Sequence, residues 1–321
     1  MCTTEPVSEH EVVPAAARDP LIAIWGVTKR YARRAAIENL ALTLRSGDVF
    51  GLVGANGGGK TTTLRVVAGL LSPDEGQGKV LGFDLRRGAR KIRTHVGYMS
   101  QRFSLYADLS VFENLRFRAQ VYGLRRPRAA ADAMIEDFEL TSHARTAAGG
   151  LSGGWARRLQ LAAALIHSPR LILLDEPTAG LDALARQDVW RRIGRLATAG
   201  AGIVVGTHDL AEAERCSQAA LLSGGPVVAT GTPEQVARHA PATAFLLSGL
   251  DARLLGQAVE TVPGVIASYP QGPSLRIVTE AGAEDHLRRM AYALDARLSG
   301  VAMRLEDAAL VFFRGGTDRE A

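Results

Sequence analysis

Three short stretches of the chain hold residues whose types and spacing suit chemistry on phosphate. Residues 54–61 read GANGGGKT, and the glycines at Gly54, Gly57, Gly58 and Gly59 let successive backbone N–H groups turn inward on anionic oxygens. An apolar run, VFGLV, precedes this loop and a helical pattern through LRVVAGLL follows, so the positive end of a helix adds to the same field. That is the strand–loop–helix context of a G-x-x-x-x-G-K-[ST] phosphate loop. Lys60 then reaches the β- and γ-phosphates and the Thr61 hydroxyl holds Mg²⁺, with Asn56 and Thr62 completing the phosphate-facing set. No G-x-G-x-x-G can be read from Gly54 onward, which excludes a dinucleotide loop.

The second stretch is LILLDEP. A run apolar on both alternating faces ends in adjacent acids, Asp175 and Glu176. Asp175 suits Mg²⁺, directly or through water, and Glu176 suits polarising an attacking water. In isolation such a pair is a common solvated turn; the upstream phosphate loop favours chemistry. GTHD puts His208 at a comparable strand edge, where a neutral imidazole can bond a phosphate or orient water. Alone, a strand-end histidine is more often structural. The third stretch is LSGGW, where Ser152 precedes a helical run and Gly153 and Gly154 offer its first, unpaired N–H groups to an anion. One nucleotide needs one phosphate cradle, yet this chain has two.

The elements that must carry these residues alternate. LIAIW, VFGLV, VGYM, LILLD and IVVG read as strands separated by helical patterns, which predicts an α/β fold with a parallel or mixed sheet over residues 21–240. Within it, residues 104–164 are nearly all helix-patterned, an insertion in which one helix opens on the capping box SVFE and stops near Gly123. Residues 242–321 change texture to β-α-β-β-α-β, a small α+β domain of split βαβ kind. Residues 1–20 are acidic and rich in Pro and Ala, and read as a disordered arm, not a signal peptide.

Bulk properties narrow the classes. A net charge of +5 is compatible with an anionic partner but does not demand one, and the basic runs are short enough to be solvated faces. Two cysteines make neither a disulfide framework nor a metal spacing. No apolar run approaches the ~20 residues of a spanning helix, so a membrane role must pass through a partner.

Together the motifs resemble the nucleotide-binding subunits of ATP-binding cassette (ABC) transporters. Over residues 21–240 six elements stand in that family's order: Tyr31, GANGGGKTT, Gln101, LSGGW, LILLDEP with AGLD, and His208. The resemblance implies a P-loop ATPase fold of ABC type, with ATP and Mg²⁺ as cofactors. By it, Tyr31 stacks on adenine, although alone it reads as a half-buried strand-end aromatic. Gln101 touches Mg²⁺ or the attacking water and senses the transporter partner. Asp182, in AGLD, contacts an opposing subunit.

LSGGW is that family's signature segment, and it faces the γ-phosphate held by the other subunit of a head-to-tail dimer. The second cradle therefore serves a neighbour's ATP. The implied partners are a second nucleotide-binding subunit and an integral membrane permease, with no nucleic acid, at the cytoplasmic face of a membrane. QRFSLYADLSVFENL, THDLAEAERC and RLEDAALVFF resemble subunits of drug and polysaccharide exporters. Two alternatives stay open: a soluble ABC ATPase acting on nucleic acid or ribosomes, and a regulatory subunit that binds ATP without hydrolysing it. Trp155 departs from the family's usual unbranched residue, and puts the packing beside the signature in doubt.

Overall fold

The computed structural model describes residues 19–32, 34–249 and 252–317. Every residue of the strand Leu171–Asp175 is buried, as a run apolar on both faces requires. It lies inside a 6-stranded sheet ordered Val227–Gly231, Gln218–Leu222, Val49–Gly54, Gly202–Thr207, Leu171–Asp175, Val96–Met99. All neighbours are parallel except the antiparallel edge strand Val227–Gly231. Parallel pairing sends the strands' carboxyl ends to one edge, where open α/β sheets bind ligands.

The insertion is helical as expected: Val111–Val121, Pro127–Asp137 and Gly153–Leu165. Ser110 and Glu113 form the reciprocal capping box, and Gly123 with φ 70° follows the first helix. Leu115, Ala119, Ile135, Phe138 and Leu159 share one apolar core with Ile172 and Leu174 of the central sheet. The insertion is thereby fused to the sheet through side-chain packing.

A second, 4-stranded antiparallel sheet comprises Arg34–Leu44, Ile22–Tyr31, Glu75–Val80 and Phe83–Asp84. Only the first part of Ile22–Tyr31 is legible as a strand from sequence. Glu75–Val80 reads EGQGKV, which looks like a turn; yet a Cβ on Gly78 would lie 2.2 Å from the Ala23 carbonyl oxygen. Backbone approach, not side-chain pattern, makes this strand.

The last unit is an antiparallel sheet ordered Val265–Gln271, Ser274–Glu280, Ala242–Ser248, Arg297–Val301. Helices Ala252–Glu260 and Glu284–Ala293 complete the β-α-β-β-α-β order. The sequence reading stops there, but a further helix, Leu305–Thr317, follows. Its Leu305, Ala308 and Ala309 share a core with Val53, just before the phosphate loop, and with Val236. Its other face is fastened to the small sheet by buried charge. Arg276 donates to Asp307 Oδ2 at 2.6 Å and to the Ala302 carbonyl at 2.6 Å, and Tyr269 donates to Asp307 Oδ1 at 2.7 Å.

Burial works to raise the Asp307 pKa, but donation from Arg276 and Tyr269 outweighs it and holds the carboxyl below the usual 3.8. Its folded value being depressed, this contribution to stability is present above the usual carboxylate range and is lost as pH falls through the folded value. Arg276→Met keeps the volume but strands Asp307 without its cation, which should cost about 3–5 kcal/mol. Chemical denaturation of the full chain measures this, and an unchanged midpoint would contradict it.

Candidate functional site

The buried strand Val49–Gly54 delivers the chain to the loop, and the helix Lys60–Val67 leaves it. Gly59 at the junction has φ 100°, and a Cβ there would stand 2.1 Å from the Ala36 carbonyl oxygen. Only glycine fits. Gly59→Ala should therefore displace the loop and abolish nucleotide binding while circular dichroism stays native; retained affinity would contradict it. The Lys60 ammonium donates to the carbonyls of Gly54 at 2.8 Å and Ala55 at 3.1 Å, folded back over its own loop. It also lies 3.5 Å from Glu176 Oε1.

Asp175 ends its strand opposite Gly206 in the parallel register, and the Thr61 hydroxyl donates to its Oδ2 at 2.8 Å. Its other oxygen, Oδ1, is buried with no hydrogen-bond partner. Burial pushes the Asp175 carboxyl above its ordinary range, with the Thr61 bond and Lys60 pulling the other way. An orphaned buried carboxylate oxygen beside a hydroxyl is what a hard divalent cation takes up, so this pair fits Mg²⁺. Among the described residues no cluster of three or more His, Cys, Asp or Glu could hold a metal. Phosphate oxygens must then supply the rest of an Mg²⁺ shell, as is usual for that ion.

Glu176 sits just past the strand with φ 50°, a left-handed conformation that its N–H bond to the Gly206 carbonyl at 2.8 Å helps hold. This turn leaves the side chain buried at the sheet edge with its Oε2 2.8 Å from His208 Nδ1. The imidazole that meets it is more than half exposed. Lys60, Thr61, Asp175, Glu176 and His208 thus meet at the carboxyl edge of adjacent strands. Such a group can bind phosphate, hold a cation and polarise water.

The other sequence candidates stand apart from this group. Tyr31 is half exposed at the end of its strand, and Asn56 is exposed in the loop, with Thr62 partly buried on the first helical turn. Met99 pairs with Leu174, so Ser100 and Gln101 leave the sheet alongside Asp175 and Glu176. The Gln101 side chain is nevertheless exposed, with no hydrogen bond among the described residues. Ser152 occupies the N-cap position of Gly153–Leu165, but contrary to expectation its hydroxyl makes no capping bond. Ser152 and Gly153 are exposed at this helix start, where the first N–H groups have no partner within the helix. Asp182 is used within its own chain, where it caps Ala183–Thr198 by accepting from Ala185 N at 2.9 Å.

Trp155 also turns inward. It packs 4.4 Å from the His143 ring, with the Arg158 guanidinium 4.9 Å from its own ring centre. The Glu176–His208 bond is absent from any spacing argument, because strand order alone creates it. A buried acid behind the site, Glu212, takes the Thr178 hydroxyl just after DEP. An acid inside the apolar helix start LAEA was its only sequence signal.

The comparisons agree with this geometry. Residues 37–179 match the ABC transporter family. The chain is 36% identical over 248 residues to the daunorubicin resistance ATP-binding protein DrrA3 of Streptomyces coeruleorubidus, covering 76% of this chain and 78% of that one. It is 38% identical over 213 residues to the Nod factor export ATP-binding protein I of Rhizobium etli, covering 65% and 67%. Identity reaches 42% over 212 residues with the probable multidrug ABC transporter ATP-binding protein YbhF of Escherichia coli. That match covers 65% of this chain but only 37% of the longer relative.

Among solved structures, an ATP binding subunit of an ABC transporter superposes with a TM-score of 0.62 at 30% identity, covering 68% of this chain and 92% of that one. A dimeric cassette in a post-hydrolysis state, bound to ADP and Pi, gives 0.61 at 26%, covering 66% and 98%. The chain belongs to the ABC transporter family. Among the described residues no helix is long and apolar enough to cross a membrane.

Proposed function

We propose that this chain is the ATP-hydrolysing subunit of an ABC exporter, working as a head-to-tail dimer on a separate membrane permease at the cytoplasmic face. The observation that carries the reading is one of incompleteness. Lys60, Thr61, Asp175, Glu176 and His208 gather at one edge, while among the described residues no side-chain hydrogen bond or ion pair ties the helix start at Ser152, Gly153 and Gly154 to that group. A second copy joins the two halves, and the relative solved as an ADP- and Pi-bound dimer supports that arrangement.

In this reading the loop amides of Gly54 and Gly57–Gly59, with Asn56 and Thr62, bind the phosphates, and Lys60 leaves the Gly54 and Ala55 carbonyls to pair with them. Tyr31, half exposed, offers its ring to adenine. Glu176 accepts the proton of the attacking water while His208 holds the carboxylate in place. Bound Mg²⁺ supplies positive charge against the transferring phosphoryl group, and Thr61 with Asp175 is the pair that would hold it. The partner's phosphate meets Ser152, Gly153 and Gly154. Asp182, already spent as a cap, acts across the interface by fixing the turn before Ala183–Thr198.

Phe103, Tyr106, Phe117 and Val121 are exposed beyond Gln101, with Tyr106 edge-on to Phe117 at 5.2 Å. This apolar patch suits a permease segment whose movement the Gln101 loop would sense. Relatives named for multidrug transport, daunorubicin resistance and Nod factor export support the outward direction. Phosphate release per chain, followed across a dilution series, tests the reading. It should rise with chain concentration and then level; a flat value down to high dilution would contradict it.

A further inference from the structure

The helix that begins at the signature segment, Gly153–Leu165, touches the Gln101 loop midway along its length. Gln160, 5% exposed, donates from Nε2 to the Arg102 carbonyl at 3.0 Å and reaches the Ser100 carbonyl at 3.5 Å. Arg157, one turn earlier, donates to the Gln160 carbonyl oxygen Oε1 at 3.2 Å and to the Ser100 carbonyl at 3.4 Å. The Ser100 hydroxyl closes the loop on itself, donating to the same Arg102 carbonyl at 2.8 Å. The carbonyls of the two residues flanking Gln101 are thus tied down while its own side chain stays exposed.

A buried amide placed like this has few alternatives. Breaking its bonds leaves the nearly buried Gln160 amide without its partners. The tie is therefore stiff compared with an ordinary loop contact. Burial draws the Arg157 pKa down, while the carboxylates of Asp175 and Glu176 act to keep it charged. The guanidinium thus lies in the field of the two acids as well as against the loop.

We infer that Arg157 and Gln160 are positioning residues that join the signature helix and the Gln101 loop into one moving body. The helix Gly153–Leu165 is a rigid rod, and Gln160 lies about 10 Å along it from Gly153 at 1.5 Å per residue. A shift of Ser152 onto a phosphate held by the neighbouring chain is then delivered to Gln101, which leaves the sheet beside this chain's own Glu176. The two nucleotide sites of the dimer are linked mechanically through each chain's clamp. This inference rests on the proposed dimer and on a part for Gln101 in turnover.

Gln160→Met, unbranched and close in volume, removes the donor; Arg157→Leu removes the second strut from the half-buried side. Both are made in the full chain, alone and combined with Gln101→Ala. Trypsin cleavage after Arg102, whose carbonyl the clamp holds, reads the clamp itself and should quicken about ten-fold in either variant. Phosphate release reads its consequence. Each single variant should lower kcat about ten-fold with KM for ATP nearly unchanged, and should add almost nothing in the Gln101→Ala background.

A general packing defect would multiply with Gln101→Ala instead. Unchanged cleavage after Arg102 would overturn the clamp. Quickened cleavage with fully multiplicative losses in kcat would leave the clamp standing but overturn its action through Gln101. A flat dependence of activity on chain concentration would fail the dimer reading separately.

Discussion

Glu176→Gln should lower phosphate release about 10²–10⁴-fold, the usual size of a general-base contribution, while Mg-ATP still binds. The side chain is nearly fully buried and already holds His208 Nδ1 at 2.8 Å through Oε2. Glutamine keeps the shape and an acceptor oxygen, but it cannot take the proton from water. Binding depends on the loop amides and on Lys60, which loses the Glu176 charge 3.5 Å away but is freed for the phosphates, so the ATP-bound closed state should form and then persist. Size exclusion at saturating Mg-ATP should show a stable dimer in this variant and a mixture in the unaltered chain. A variant that stays monomeric there would mean that ATP does not close two chains on each other.

Lys60→Ala acts at the earlier step. In the described conformation the ammonium is held by two carbonyls and faces Glu176 at 3.5 Å, so its charge is already desolvated and aimed at the loop. Charge-assisted bonds of about 1.5–3 kcal/mol are lost on removal, which corresponds to roughly 10- to 100-fold weaker ATP binding. Glu176 is also left buried with one counter-charge fewer, so turnover should suffer beyond the binding loss. Calorimetric titration with ATP measures the first effect. Unchanged affinity would refute the phosphate-loop assignment.

Much of this site was legible before any geometry, for a physical reason. Each phosphate-handling group sits where an apolar strand stops, so the strand pattern and the motif mark the same position. VFGLV runs into GANGGGKT, LILLD into Glu176, and the strand Gly202–Thr207 into His208. What the pattern cannot carry is strand order. Glu176 and His208 are 32 residues apart, and they bond because Leu171–Asp175 and Gly202–Thr207 are neighbours in the sheet.

Glycine hid another part of the fold, since EGQGKV looks like a turn until the backbone of Ala23 approaches Gly78. The tail was hidden differently. LEDAALVFF was legible as an ending typical of exporters, but its helix, and the burial of Asp307 on Arg276 thirty-one residues earlier, come from tertiary packing. Ser152 was placed correctly at a helix start. Its hydroxyl, expected to close the helix end, makes no capping bond, and the residue stays exposed.

The most direct measurement of the central claim mixes two inactive chains. Lys60→Ala lacks a working phosphate loop and Gly153→Asp blocks the signature N-terminus, so each homodimer has no complete site. When equal amounts are mixed, half the dimers carry one intact pair of half-sites, and about a quarter of full activity should return if subunits exchange freely in a two-fold dimer. A mixture as inactive as its two components would contradict the claim that each site is built from two chains.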